Sequence, residues 1–334
     1  MQDQDLNPTA ADPAEPAPFI RRTASDFPPE VLKLFDAYVH GLLDRRGFLE
    51  RAARFALAGT TAVALLEALN PQFAQAEQVK KDDPRIKTEL IDIPSPQGNG
   101  KVHVYAVRPA KHKGKTGSVL VVHENRGLNP HIEDVARRFA LEGYNAYAPD
   151  ALFTLGGYPG DEDKARELFS KLDQGKTRED FVAAASFVKH EPHGNGKLGV
   201  VGFCWGGGIA HLLATRMPDL DAAVPFYGMP PAPEEAAKIK ASLLVNLAEQ
   251  DERINSAWPA YEAALKAARV KYEAFTYAGT QHGFHNDTTP RYDETNAKLA
   301  WQRTLALFHR SLGGVGGAPA GGAGPAKEKP KAKG

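Results

Sequence analysis

From about residue 85 to residue 311 the hydrophobic period of the chain switches repeatedly between that of a strand and that of a helix. Thr88 to Ile93 and Val102 to Val107 read as two strands around the Gly98-Asn-Gly100 turn, a hairpin by its turn chemistry. Ser118-Val-Leu-Val-Val122 is a continuous apolar run of the kind buried on both faces of a sheet. The spacing of Ile132, Val135, Ala136, Phe139 and Ala140 predicts a helix over 131–142, followed by a strand from Tyr144 to Ala148. A glycine-rich loop at 150–160, helices at 162–173 and 177–190, a strand over Lys197 to Val201 and a helix over 209–215 come next. Ala222 to Tyr227 and Ser242 to Leu247 read as strands, and helix 256–269, strand 271–276 and helix 291–311 complete the series. Such alternation predicts an α/β domain over 77–312, with a mainly parallel central sheet and helices on both faces.

The two ends read differently. Residues 1 to about 29 are rich in Pro, Ala and Asp without an apolar period, and are expected to be disordered. From Pro29 an amphipathic helix is expected, with Val31, Phe35, Val39 and Leu42 on its apolar face. It leads into Asp44-Arg-Arg-Gly-Phe-Leu49, which resembles a twin-arginine export signal: Arg45-Arg46 precede the apolar run Phe55 to Leu66, and Ala74-Gln-Ala76 has the small-x-small form of a cleavage site. The plainer reading is a surface helix ending in a basic turn. Asp44 stands where the export motif usually has Ser or Thr, and the run is too short for a membrane span, which needs about 20 residues. Residues 1–76 are thus expected to be a disordered N-terminus plus signal segment, with periplasmic export as the implied location and a cytoplasmic one as the alternative. The stretch 313–334, almost entirely Gly, Ala, Pro and Lys, reads as a disordered tail.

Composition changes this picture little. The chain of 334 residues is 42% hydrophobic and 25% charged, ordinary for a globular protein, and its net charge of zero offers no field to recruit nucleic acid or an anionic membrane. A small molecule is the expected ligand. The one cysteine, Cys204, excludes an intramolecular disulfide or a Cys-rich metal site.

That cysteine lies in Gly202-Phe-Cys-Trp-Gly-Gly-Gly208, between the predicted strand and helix. It occupies the serine position of the G-x-S-x-G elbow, where glycines let strand and helix approach around a strained nucleophile. A thiol is mostly protonated at neutral pH and needs a base, and the base needs an orienter. In an α/β-hydrolase these follow the nucleophile as acid and then histidine, on loops after later strands. Asp251 and His282 stand in that order, each just past a predicted strand; Glu249 and Glu252 compete with Asp251. Taken singly each has a plainer reading, Asp251 as a helix cap, His282 as a surface residue, Cys204 as a small buried side chain. Their joint order favours a triad. His123-Glu-Asn-Arg-Gly127 follows an interior strand, so it faces the same crevice. The backbone N–H of Asn125 is expected to pair with that of Trp205 as an oxyanion hole, and Glu124 to lie near the thiol or to pair with an arginine.

Together Gly-Phe-Cys-Trp-Gly-Gly, Asp251, His282 and Glu124 resemble the dienelactone hydrolase (carboxymethylenebutenolidase) family over about residues 85–311. The resemblance implies the α/β-hydrolase fold, a Cys204 nucleophile, proton shuttling by His282, orientation by Asp251 and holding of the resting thiol by Glu124. It implies neither metal nor organic cofactor. The upstream Asp-Arg-Arg-Gly-Phe-Leu resembles a subgroup of these proteins that carries an export signal, with the twin-arginine machinery as its partner. Where the family binds a substrate carboxylate with arginines, this chain has Leu152-Phe-Thr-Leu155 and Asn286, leaving Arg126 and Arg291 as candidate substitutes. The expected function is hydrolysis of a small ester or lactone through a thioester. The alternatives are a non-catalytic exported binding or stress protein that keeps the pocket and, more weakly, redox sensing by Cys204.

Overall fold

The computed structural model of the protein describes residues 21–56, 60–111 and 114–313. Eight strands form one sheet: β1 (Ile86–Ser95), β2 (Gly100–Pro109), β3 (Thr116–Val122), β4 (Asn145–Asp150), β5 (Gly194–Phe203), β6 (Ala222–Phe226), β7 (Ser242–Gln250) and β8 (Tyr272–Gln281). Their spatial order is β1-β2-β4-β3-β5-β6-β7-β8. The predicted hairpin pairs β1 with β2 antiparallel, β2 joins β4 antiparallel, and every pairing from β4 through β3 to β8 is parallel. All seven residues of β3 are buried, as its unbroken apolar run requires.

The helices are α1 (Pro29–Val39), α2 (Arg45–Ala52), α3 (Ala62–Leu69), α4 (Phe73–Ala76), α5 (Pro130–Leu141), α6 (Glu162–Ser170), α7 (Gln174–Lys189), α8 (Trp205–Arg216), α9 (Glu252–Asn255), α10 (Trp258–Ala267) and α11 (Glu294–Leu312). From β3 onward they cover both faces of the sheet, and two separate apolar clusters fill the space. One gathers Leu120, Phe181, Val200, Leu213 and Leu243; the other gathers Val119, Phe139, Val201, Val224 and Phe308.

The N-terminal segment departs from expectation. A 3-10 turn at Ala24–Asp26 and the buried Phe27 show that disorder to about residue 29 does not hold from Arg21 onward. Phe27, Val31, Phe35, Phe48, Leu65, Leu66 and Leu69 close a third apolar cluster, so part of the run read as a signal core is packed. Helix α1 also ends earlier than its apolar face suggested. Gly41 takes a left-handed φ of 75°, the Gly41 N–H bonds Tyr38 O and the Leu42 N–H bonds Ala37 O, a Schellman stop that leaves Leu42 74% exposed. Asp44, unusual for an export motif, caps α2 by accepting from the Gly47 N–H. Arg45 bridges to Asp163 of the α/β domain at 2.9 Å. No helix of the described residues is long and apolar enough to cross a membrane. The expected tail beyond Gly313 and the first 20 residues lie outside the described residues.

Candidate active site

Strand β5 delivers Cys204 into the elbow that the glycine pattern requires. Cys204 has φ 55° and ψ −115°, a strained conformation for a residue with a side chain. A Cβ on Gly202 would lie 1.9 Å from Gly206 O, and one on Gly206 would lie 2.5 Å from the carbonyl oxygens of Val122 and His123. Those gaps are what let α8 pass so close to β3 and β5.

Asp251 and His282 leave the ends of β7 and β8 and meet: His282 Nδ1 lies 2.5 Å from Asp251 Oδ2, with both side chains buried. The reactive atoms of Cys204 and His282 lie within 4.8 Å of each other. Burial alone would push the Cys204 thiol up, but the neighbouring His282 and His40 more than offset it and bring it to about 6. Burial alone would push His282 down, and against it the Cys204 charge and Asp251 raise it to about 10. Both shifts favour a thiolate–imidazolium pair.

Asn125 and Trp205 line the same cavity as Cys204, and their backbone N–H groups donate to no other group among the described residues. Glu124 is held by Asn286, whose Nδ2 donates to Glu124 Oε2 at 2.9 Å. Asn286, at a position where the family carries an arginine, therefore serves the glutamate. His123 is a positioning residue: its Nε2 accepts from the Ala151 N–H, its Nδ1 donates to Glu124 O, and its ring stacks on Trp205.

The structure does not bring Arg126 and Arg291 into the cavity beside Cys204. Arg126 donates to Val39 O through both terminal nitrogens and pairs with Glu162, while Arg291 pairs with Asp36 and covers the Phe35 ring. Their charges are spent holding α1. The cavity, about 610 Å³, is lined by Arg166, Arg178 and Arg253 together with Trp205, Ile209 and Met229.

Sequence reasoning missed His40. As the C-cap residue of α1 it is brought to the nucleophile, with Nε2 3.7 Å from Cys204 Sγ and 3.3 Å from His282 Nε2. Its Nδ1 faces Asp36 O at 2.8 Å and Asp36 Oδ1 at 3.3 Å. Burial alone would lower its pKa, but Asp36 and Cys204 raise it. Nothing in the local sequence marks this histidine, because its partner lies in another part of the chain. Tyr227 was missed too: at a positive φ of 37°, it places its ring 4.8 Å from that of His282 and buries a hydroxyl with no partner among the described residues.

A cysteine elbow beside a buried His–Asp pair, on a mostly parallel eight-stranded sheet, defines the class of α/β-hydrolases. Residues 102–312 match the Dienelactone hydrolase family, and the chain belongs to that family and is a carboxylic ester hydrolase. Residues 19–56 match a second family, described as YqhI-like, which lies outside the hydrolase match and contains His40. The chain is 35% identical over 241 residues to a Salmonella typhi protein named "Putative carboxymethylenebutenolidase", covering 68% of this chain and 88% of that one. It is 58% identical over 113 residues to the Escherichia coli (strain K12) "Putative hydrolase fragment YghX", covering 34% of this chain and 97% of that one. A crystal structure titled as a putative dienelactone hydrolase from Klebsiella pneumoniae superposes with a TM-score of 0.61 at 32% identity, covering 67% of this chain and 99% of that one.

Proposed function

We propose that the chain hydrolyses small esters or lactones through Cys204, His282 and Asp251. The observation that carries this reading is the buried His282–Asp251 bond beside an elbow cysteine whose thiol is drawn down to about 6. The Cys204 thiolate attacks the carbonyl carbon, and the resulting oxyanion is held by the Trp205 and Asn125 N–H groups, each worth about 3 kcal/mol. His282 passes its Nε2 proton to the leaving alkoxide as the tetrahedral species collapses to a thioester. Water, deprotonated by His282, then attacks the thioester, releasing the acid and restoring the thiolate. Glu124, tied to Asn286, is assigned to holding the thiol between turnovers. Because Arg126 and Arg291 serve α1, a carboxylate on the substrate would be met by Arg178 or Arg253, which line the cavity, and the apolar Trp205, Ile209 and Met229 suit an uncharged ester or lactone equally.

Turnover of a panel of lactones and aryl esters, with and without a carboxylate, by the wild type and Cys204→Ala tests the reading. Cys204→Ala should abolish turnover while the protein stays folded; full activity in that variant would sink the mechanism. The non-catalytic alternative is not favoured by membership of a hydrolase family.

A second reading concerns location. The Arg45-Arg46 motif and Ala74-Gln-Ala76 favour periplasmic export by a twin-arginine route, with cleavage removing His40 from the site. Sequencing the N-terminus of the protein from its native host decides it: Glu77 as first residue supports export, and Met1 retained opposes it.

A further inference from the structure

His40, Cys204 and His282 direct three electron-pair donors at one point. Among the described residues His282 Nδ1 faces only Asp251 Oδ2, and His40 Nδ1 faces only Asp36 oxygens, so each Nδ1 carries the hydrogen. In the neutral rings both Nε2 atoms then present lone pairs, although they lie 3.3 Å apart and 3.7 Å separates His40 Nε2 from Cys204 Sγ. Such an approach needs a positive centre between the two nitrogens: the Nε2 proton of the His282 imidazolium fills that place in the resting site, and a metal ion held by both lone pairs fits the same spacing. Arg253 marks the same demand from outside, its NH2 donating to His40 Nε2 at 3.0 Å.

We propose that Cys204, His40 and His282 form a binding site for Zn²⁺ or a similar divalent transition metal, and that the metal switches the hydrolase off. Zinc takes nitrogen at about 2.0–2.1 Å and sulfur at about 2.3 Å, so tetrahedral coordination sets N···N near 3.3 Å and N···S near 3.6 Å. Two of the three edges already match these spacings. The Cys204–His282 edge, at most 4.8 Å, is the one that tightens. Each imidazole is backed by a carboxylate, Asp36 or Asp251, the outer-shell arrangement that fixes the ligating tautomer of a zinc-bound histidine. A fourth position stays open to water, and the exposed Arg253 is free to swing aside.

Binding exchanges one proton for the metal: from the thiolate–imidazolium pair the His282 Nε2–H bond breaks and its proton leaves to solvent, while the S–Zn and N–Zn bonds form. The sulfur pair is then no longer available to attack a carbonyl, and the His282 Nε2 pair is no longer available as a base. Because His40 belongs to the YqhI-like segment and the other two ligands to the hydrolase domain, the metal also staples one to the other. The inhibitory part rests on the hydrolase reading above; the binding part does not.

The test uses the purified full chain, retaining residues 1–76, stripped with a chelator and titrated with Co²⁺ and then Zn²⁺. One Co²⁺ per chain should bind with a thiolate-to-cobalt charge-transfer band and tetrahedral d–d bands, both lost on adding Zn²⁺. Asp36→Asn, which keeps the imidazole and the fold, should weaken binding about 10-fold. His40→Ala should weaken it at least about 100-fold, beyond the range typical of an outer-shell loss. Zn²⁺ should inhibit ester turnover of the wild type, reversibly by chelator, and at the same concentration leave His40→Ala at its own metal-free rate. Absence of the thiolate band, or a band and affinity unchanged in both variants, overturns the proposal. A chain that shows the His40-dependent cobalt spectrum but no ester turnover without metal would keep the site and refute the hydrolase reading instead.

Discussion

His40 and His282 stand 242 residues apart in sequence yet pack edge to face over the Cys204 thiol, ring centroids 4.6 Å apart at 80°. One ring comes from a helix terminus outside the hydrolase family match and the other from the loop after the last strand of the sheet. The nucleophile is therefore flanked by two His–carboxylate pairs.

That flanking sets the pH dependence of the thiol. Below about 6 the thiol is protonated and unreactive; above it the thiolate is held by the adjacent imidazoles. Because the folded value lies below that of free cysteine, about 8.5, alkylation by iodoacetamide should gain rate as pH rises through about 6 and flatten well before pH 8.5. His40→Gln removes one of the groups that draws the thiol down, so its midpoint should move to higher pH. A wild-type midpoint at the free-cysteine value would contradict the flanking.

Asp251 Oδ2 lies 2.5 Å from His282 Nδ1, which places the hydrogen on that nitrogen, and in the proposed mechanism Nε2 then serves the thiol. Asp251→Asn preserves shape but offers an amide donor, which turns the ring toward the wrong tautomer. Steady-state kinetics should show kcat lowered roughly 10³–10⁴-fold, as for an orienting acid replaced in a comparable triad, with KM little changed. An unaltered kcat would assign the orienting role elsewhere.

The elbow glycines separate cleanly by what surrounds them. Gly202→Ala drives a methyl to 1.9 Å from Gly206 O, a backbone atom that cannot give way without moving α8, so urea unfolding should show a loss of more than about 3 kcal/mol. At Gly208 the nearest atom, Met229 O, is 3.5 Å away, so Gly208→Ala should be neutral or stabilise by about 0.5–1 kcal/mol through helix propensity. Equal effects at the two sites would mean that spacing at the elbow is not what selects glycine.

Much of this architecture was legible because it is written in local period and order. The fully buried β3 with its Val119–Val122 run, the Gly98-Asn-Gly100 hairpin and the chain order Cys204, Asp251, His282 each depend on near neighbours or on strand ends, where α/β folds gather chemistry. Leu42 was misplaced because periodicity does not register that Gly41 turns left-handed and ends α1. His40, Arg126 and Arg291 escaped for a deeper reason. Their roles come from the docking of α1 on the crevice, a contact between distant segments that leaves no pattern in either.

Arg126 offers the last and most direct measurement of that docking. Its guanidinium, with the side chain 6% exposed, donates to the terminal carbonyl of α1 at Val39 and lies 3.5 Å from Glu162, joining three parts of the chain at one buried group. Arg126→Met keeps much of the apolar stem but, among the described residues, leaves the Val39 carbonyl with only the Asn125 side chain as partner, and it removes the arginine that pairs with Glu162. Removing one partner of a fully buried pair costs about 3–5 kcal/mol. Glu162 is 21% exposed, so urea unfolding should show a smaller loss, about 2 kcal/mol. The double variant Arg126→Met, Glu162→Gln should lose less than the sum of the single changes, since the second removes the charge the first strands. Limited proteolysis separates this from general destabilisation: cleavage between α1 and α3 should accelerate under conditions where the sheet remains intact. If cleavage and unfolding instead accelerate together, Arg126 supports the hydrolase domain itself and α1 is held by its other contacts.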